Sequence, residues 1–215
     1  MSAHNRFSGH RRMLAYESAR ILSSQGAEGF DRARRKAAER LGVLDKRCWP
    51  SNEEIQEALL TQRRLFDGGA QVQTLRRLRT QALAAMRNFG TFQPRLVGSV
   101  LHGTGDAIQG VRLHLFADSP EDVVLALLGQ GIPWHERETC LRFGGDQRHS
   151  LPVFEFQAGE TPFDLVVLPI QALRSPPFDP VTDRPERGAG IADVERMVEE
   201  AEEPSRNSYL CEIGT

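Results

Sequence analysis

The residues of this chain best suited to chemistry form a glycine–serine turn between two apolar segments. Leu96 and Val97 lead into Gly98 and Ser99, and a second segment with alternating apolar residues follows at 111–116. A glycine lets backbone N–H groups come close to a phosphate, and a serine hydroxyl adds one more donor. Gly98 and Ser99 could therefore contact a phosphate group at the end of a strand, although a Gly-Ser pair alone is a weak signal.

The order of strand, Gly-Ser, small-residue turn and strand resembles the phosphate-binding start of the nucleotidyltransferase superfamily, of the DNA polymerase β and kanamycin nucleotidyltransferase type. The small-residue turn here is Gly103-Thr104-Gly105, and the resemblance covers roughly residues 90–170. It implies a Gly-Ser pair that cradles nucleotide phosphates and an Asp-x-Asp pair on the next strand that binds Mg²⁺. It also implies a third carboxylate on a late strand, and Asp164, between Phe163 and Leu165, matches that position.

The two acid positions of the implied Asp-x-Asp pair hold Gly110 and Arg112. Two-metal nucleotidyl transfer needs carboxylates that hold Mg²⁺, whereas glycine offers no ligand and arginine brings a positive charge. By resemblance, Asp164 is then the catalytic and metal-binding residue, and Gly98, Ser99 and Arg112 are the nucleotide-binding residues. The alignment of Gly110 and Arg112 with the two acid positions rests on spacing, so an alignment shifted by two residues stays open.

These residues predict a nucleotidyltransferase-like protein that binds a nucleotide or another phosphate-containing ligand and has an impaired magnesium site. One alternative is an active nucleotidyltransferase that moves a nucleoside monophosphate to an unknown acceptor, using metal ligands not recognised in the motif. Another is a non-catalytic module that binds nucleic acid or a protein through basic helices. Nucleic acid is the less favoured partner, because the acidic second half of the chain would repel it. The sequence does not define an oligomeric state.

Other reactive side chains have simpler interpretations. His102 and His114 could line the same cleft, but without a partner acid at a recognisable spacing they are expected to be ordinary, partly buried histidines. Cys140 lacks a nearby histidine motif and is expected in the core. The arginines at 76, 77 and 79 are expected on a solvated helix face, since few aromatic residues for base stacking lie near them.

Four helices are predicted before the first strand, because apolar residues recur there at helical spacing. The third of these helices begins at a capping box of Ser51 and Glu54. After Pro94 the apolar period changes from helical to alternating. The predicted helices are 12–25, 30–41, 52–66, 72–88, 120–128 and 191–203, and the predicted strands are 95–99, 111–116, 136–143, 151–157 and 163–168, the last two forming a hairpin.

This element order predicts an α+β fold, with a helical N-terminal region followed by a nucleotidyltransferase-like mixed β-sheet flanked by helices. The predicted domains are a helical region at 1–90, a sheet domain at 91–175, and a segment at 176–215 that comprises a loop, a short acidic helix and a tail. At 215 residues and 40% hydrophobic content, the chain can bury a full core.

Charge is distributed unevenly along the chain. Residues 1–95 carry a net charge of +9 and residues 96–215 a net charge of −11, which add to the overall −2. Such a split indicates either a surface for a polyanion or two regions that attract each other. The chain has no long apolar stretch, no signal peptide and no metal-binding cysteine spacing, so it is expected to be cytoplasmic and without a membrane partner.

Overall fold

The computed structural model describes residues 3–25, 29–43, 45–66 and 68–201, and within them it has an α+β architecture of six α-helices and one five-stranded mixed sheet. The chain packs as two compact units. The first comprises the segment up to Gly68 together with residues 179–184, and the second comprises residues 69–178 and the segment from Pro185 onward. Each unit is described separately below.

The first unit contains three helices, α1 (Ala3–Gln25), α2 (Phe30–Leu41) and α3 (Asn52–Phe66). α2 ends at Gly42, whose left-handed backbone lets its own N–H and that of Val43 bond the last helical carbonyls. The predicted capping box begins α3: the Ser51 N–H donates to Glu54, and the Glu54 N–H donates back to the Ser51 hydroxyl. The helices bury one apolar cluster, which includes Leu14, Leu22, Ala37, Ile55 and Leu59.

The second unit is built on a sheet with the strand order β1-β2-β5-β4-β3. The strands are β1 (Arg95–Val97), β2 (Val111–Ala117), β3 (His135–Arg142), β4 (Arg148–Ala158) and β5 (Thr161–Pro169). β2 and β5 are parallel, and the other neighbouring strands are antiparallel. β1 and β3 are therefore the two edge strands, and β2 and β5 lie inside the sheet.

The helices of the second unit are α4 (Gly68–Asn88), α5 (Pro120–Gly129) and α6 (Ile191–Glu200). Each contributes apolar side chains to the main core, which they share with alternate residues of the strands. This core includes Leu78, Met86, Leu113, Val123, Phe154, Leu165 and Val194. The opposite face of the sheet carries a smaller apolar cluster near the ends of β2 and β5, with Phe116, Val153, Val166 and Leu168. The start of β2 and β5 on that face is polar.

The predicted helices and strands are all present, with shifts at their ends. The first helix begins at Ala3 rather than at residue 12, and the predicted end of the last helix, residue 203, lies outside the described residues. β1 stops at Val97 rather than at residue 99, because Gly98 has a positive φ of 71° and turns the chain out of the sheet. The predicted tail lies outside the described residues from residue 202 onward. The predicted division at residue 90 and the observed units differ over α4, which packs on the sheet core through Leu78 and Met86.

Within the ranges of the chain that the structure describes, no helix combines the length and the apolar character needed to cross a bilayer.

Candidate functional site

One end of the sheet brings together the residues that the sequence singles out. Val97, the last residue of β1, pairs with Arg112 near the start of β2, and Arg112 pairs in turn with Asp164 near the start of β5. β1 runs antiparallel to β2, and β5 runs parallel to it. The last residue of β1 and the first residues of β2 and β5 therefore lie at the same end of the sheet. The turn at Gly98 and Ser99, which follows β1, therefore lies at the same end as Arg112 and Asp164.

Arg112 and Asp164 project from the same face of the sheet and form an ion pair. The Arg112 Nε and Nη2 donate to Asp164 Oδ2 at 3.2 Å and 2.8 Å. A second guanidinium also reaches this oxygen, since Arg137 Nη2 on β3 donates to it at 2.7 Å. Arg137 Nε in turn donates to Glu155 on β4. We refer to Arg112, Arg137, Glu155 and Asp164 as the sheet-face cluster.

The sheet-face cluster combines a shielded carboxylate with accessible guanidinium groups. The Asp164 side chain is 19% exposed, whereas the side chains of Arg112 and Arg137 are 50% and 36% exposed. Burial lowers the pKa of Arg137, but its hydrogen bond to Glu155 and the charges of Asp164 and Glu155 outweigh this effect and raise it. Both guanidiniums remain cationic, so this face offers N–H donors and positive charge to solvent.

The side chains that β2 and β5 present at this end do not fit a carboxylate site for Mg²⁺. The Asp164 oxygen that faces its neighbours already accepts three guanidinium N–H bonds. Gly110, one of the two acid positions implied by the resemblance, has a φ of +64°, and a Cβ placed there would lie 2.0 Å from the Pro162 carbonyl oxygen. No side chain fits at that position without displacing the backbone of β5. The chain therefore has no room for an acid at residue 110.

The alternative alignment, shifted by two residues, replaces Gly110 with His114, which lies on the same sheet face as Arg112. His114 is 4% exposed. Burial lowers the pKa of His114 to about 4; the Glu186 charge opposes this shift, and the Arg112 charge adds to it. In either alignment, the two positions on β2 supply no carboxylate.

The turn after β1 contacts a carboxylate, that of Glu186, which was not expected there from the sequence. The Gly98 N–H donates to Glu186 Oε1 at 3.2 Å, and His102 Nε2 lies 3.5 Å from the same oxygen. The His102 N–H donates to the Gly98 carbonyl at 3.1 Å, and the Thr104 N–H donates to the Ser99 carbonyl at 2.8 Å. Residues 98–104 thus form a compact turn with one backbone donor directed at an anionic group.

Arg79 on α4 binds the backbone of this turn. Its Nε and Nη2 donate to the carbonyls of Val100 and Leu101 at 3.4 Å and 3.5 Å. Burial lowers the pKa of Arg79, while the charge of Glu200 opposes the shift. The predicted solvated face therefore holds for Arg76 and Arg77, which are exposed, but it is wrong for Arg79.

Cys140 is exposed, so the prediction of a core position is also wrong. It lies on β3, where most side chains on both faces are exposed or half-buried. The alternation along an edge strand does not decide burial when neither face is fully covered.

Two residues of this region, Arg137 and Glu186, are absent from the expectations drawn from the sequence. The alternation of side chains along the predicted strand at 136–143 could have placed Arg137 on one face of a sheet. It could not have shown that this face also carries Asp164. Glu186 lies in a loop rich in proline and glycine, and no local pattern connects it to Gly98.

A scan of the chain against protein-family models matches no family, and a comparison with curated proteins finds no match.

Proposed function

We propose that this protein binds a nucleotide or another phosphate-containing ligand at the end of the sheet formed by Gly98, Ser99 and Arg112, and that binding does not depend on Mg²⁺. The observation that carries the proposal is the half-exposed Arg112 guanidinium, paired with Asp164 on the next strand. In the nucleotidyltransferase superfamily that the sequence resembles, this strand would supply carboxylates and their metal ion. Here an arginine supplies the positive charge directly.

The chemistry of the guanidinium group supports this assignment. Arginine presents five N–H donors in a planar fork and binds phosphate oxygens in pairs. Arg112 directs Nε and Nη2 towards Asp164, and this contact holds the plane of the fork in one orientation. A fork held in place loses less side-chain entropy when a ligand binds. Asp164 is then a positioning residue for Arg112.

The backbone next to Ser99 supports the same ligand class. Gly98 has no Cβ, and a Cβ built there would meet no heavy atom within 4 Å, so no side chain crowds the Cα of this turn. Turns of this kind present backbone N–H groups to anions. A phosphate at the turn would gain these donors together with the charge of Arg112.

An active transferase has less support, because neither β2 position supplies a carboxylate and Asp164 is held by two arginines. A nucleic-acid module has less support as well. Arg77, on the exposed face of α4, lies 3.9 Å from Glu160 of the same unit, so an acid lies close to that basic surface.

The test is titration calorimetry with ATP and with inorganic pyrophosphate, each in the presence of Mg²⁺ and then of a chelator. We expect dissociation constants that differ by less than about threefold between the two conditions. Arg112→Gln should weaken binding about tenfold or more, since a hydrogen bond to a charged group contributes about 1.5–3 kcal/mol. Arg77→Gln removes the same charge from an exposed helix position and serves as the matched control.

Binding that requires Mg²⁺ would contradict the proposal and favour a functional metal site. Equal losses in the Arg112 and Arg77 variants would show that the ligand responds to net charge and not to this site. Transfer of labelled nucleotide to an acceptor, abolished by Asp164→Ala, would establish the transferase instead.

A further inference from the structure

The Glu186 carboxylate lies at the backbone donor that the proposed phosphate site would use. Glu186 Oε1 accepts from the Gly98 N–H at 3.2 Å, and the Glu186 side chain is only 12% exposed. We propose that Glu186 is an internal anion that occupies the Gly98 turn and that a phosphate ligand must displace. This inference rests on the proposed function and concerns the regulation of that same site.

The backbone on both sides of Glu186 holds the carboxylate in this position. The Glu186 N–H donates to the Pro177 carbonyl at 2.7 Å. Three residues later, Ala189 and Leu96 exchange two backbone hydrogen bonds of 2.8 Å and 2.9 Å. Between them, Gly188 approaches β1 so closely that a Cβ there would lie 2.8 Å from the Leu96 carbonyl oxygen. We call residues 185–190 the Glu186 loop.

The surroundings keep Glu186 negatively charged. Burial raises the pKa of Glu186, but the neighbouring His102 side chain and the hydrogen bond from the Gly98 N–H outweigh burial and lower it. The carboxylate is thus ionised at neutral pH and presents an oxygen to Gly98 as a phosphate would. Two anions cannot share one backbone donor without strong repulsion, so carboxylate and phosphate compete for the turn.

The competition has a simple consequence for affinity. A ligand that binds only the form in which Glu186 has left the turn has its apparent affinity reduced by the fraction of that form. A phosphate ligand has several oxygens and also contacts Arg112, so at sufficient concentration it displaces the Glu186 carboxylate from the Gly98 N–H. Glu186 thus sets the minimum affinity that a ligand needs to occupy the turn, and weakly binding anions such as inorganic phosphate do not displace it.

The experiment compares Glu186→Gln and Glu186→Ala with the wild-type protein, using pyrophosphate and ATP in chelator. If the occupied form holds about 90% of the population, removing the carboxylate should tighten binding about tenfold in Glu186→Ala, and Glu186→Gln should tighten it less. Glu138→Gln is the matched control, because Glu138 also accepts a hydrogen bond, from the Ser150 hydroxyl at 2.6 Å, and lies on the opposite sheet face from Arg137. This control should leave the affinity unchanged.

A second measurement does not depend on a ligand. The amide of Gly98 should exchange its hydrogen faster in folded Glu186→Ala than in the wild-type protein, because its acceptor is gone. Unchanged exchange would overturn the assignment of Glu186 to the turn. A Gly98 amide resonance that stays in place when the wild-type protein binds ligand would overturn the displacement.

The possible failures are distinguishable. If the wild-type protein binds ligand through Arg112 and the Glu186 variants bind no more tightly, the inference fails and the proposed function stands. If neither the wild-type protein nor the variants bind, the proposed function fails and the inference fails with it.

Discussion

Replacement of Asp164 by asparagine separates a site held by arginines from a site built for a metal. Asparagine keeps the size of the side chain and one carbonyl oxygen, but it loses the charge that holds Arg112 and Arg137. If Asp164 positions the guanidiniums, the variant should be less stable and should bind phosphate ligands several-fold more weakly, to the same degree with and without Mg²⁺. If Asp164 is a metal ligand, its loss should abolish ligand binding or turnover.

The size of the stability loss follows from the geometry of the sheet-face cluster. Three N–H groups from Arg112 and Arg137 donate to Asp164 Oδ2 at 2.7–3.2 Å. Hydrogen bonds to charged groups contribute about 1.5–3 kcal/mol when buried, and exposed ion pairs contribute about 0–1 kcal/mol. The carboxylate is mostly buried but its partners are one-third to one-half exposed, so we expect Asp164→Asn to lower the free energy of unfolding by about 1.5 kcal/mol. Without Asp164 the Arg112 fork is no longer held in one orientation, so pyrophosphate binding should weaken several-fold.

The assay is urea unfolding followed by tryptophan fluorescence. The chain has two tryptophans, Trp49 and Trp134, one in each unit. In a Trp49→Phe background, Trp134, which packs on the main core of the second unit, reports on the unit that contains Asp164. Glu155→Gln, which removes the more exposed acid of the cluster, is the control and should cost less than about 0.5 kcal/mol.

A loss of stability below about 0.3 kcal/mol in Asp164→Asn, which is within the range of an ordinary surface substitution, would refute the structural role of this carboxylate. Unchanged or tighter pyrophosphate binding would refute its role as a positioning group for Arg112.

Two further predictions concern Gly110 and His114. Gly110→Ala should lower the free energy of unfolding by about 3 kcal/mol or more, because its Cβ would lie 2.0 Å from the Pro162 carbonyl oxygen in a left-handed backbone. The control Gly129→Ala, with no atom within 4 Å of the new Cβ, should be neutral or stabilising. Similar urea midpoints for the two variants would contradict this prediction. His114 has a folded pKa of about 4 against about 6.5 unfolded, so the unfolded state binds the extra proton between these values, and stability should fall by about 3 kcal/mol as the pH drops through this window. A His114→Gln variant should flatten that part of the stability profile and the exposed His135→Gln should not, as unfolding measured at several pH values would show.

The elements of this fold were predictable because their signals are local. The capping box of Ser51 and Glu54 defines the start of α3, and Gly42 defines the end of α2. The alternating segments around the turn at 158–161 define the β4–β5 hairpin. Caps, turns and apolar periods act over a few residues, and the sequence displays them directly.

The candidate site was predictable only in part, because it depends on strand register and on loops. The resemblance singles out Asp164 and Arg112, but that Arg137 reaches the same Asp164 oxygen depends on β3 and β4 lying beside β5. Gly110 is fixed by a backbone carbonyl about 50 residues later in the chain. Glu186 reaches Gly98 only because its loop pairs with β1 at Leu96. Contacts of this range leave no periodic trace in a single sequence.

The two edges of the sheet bear on how the protein behaves at high concentration. β1 is three residues long, and the Glu186 loop pairs with it at Ala189, so little of its backbone is open to another strand. β3 is longer, but charged residues crowd it: Glu136, Arg137, Glu138 and Arg142. Short, covered or charged edges disfavour the addition of a strand from another chain. By covering β1, the Glu186 loop therefore also disfavours self-association of the protein. Shortening the loop should expose the β1 backbone and promote aggregation through this strand.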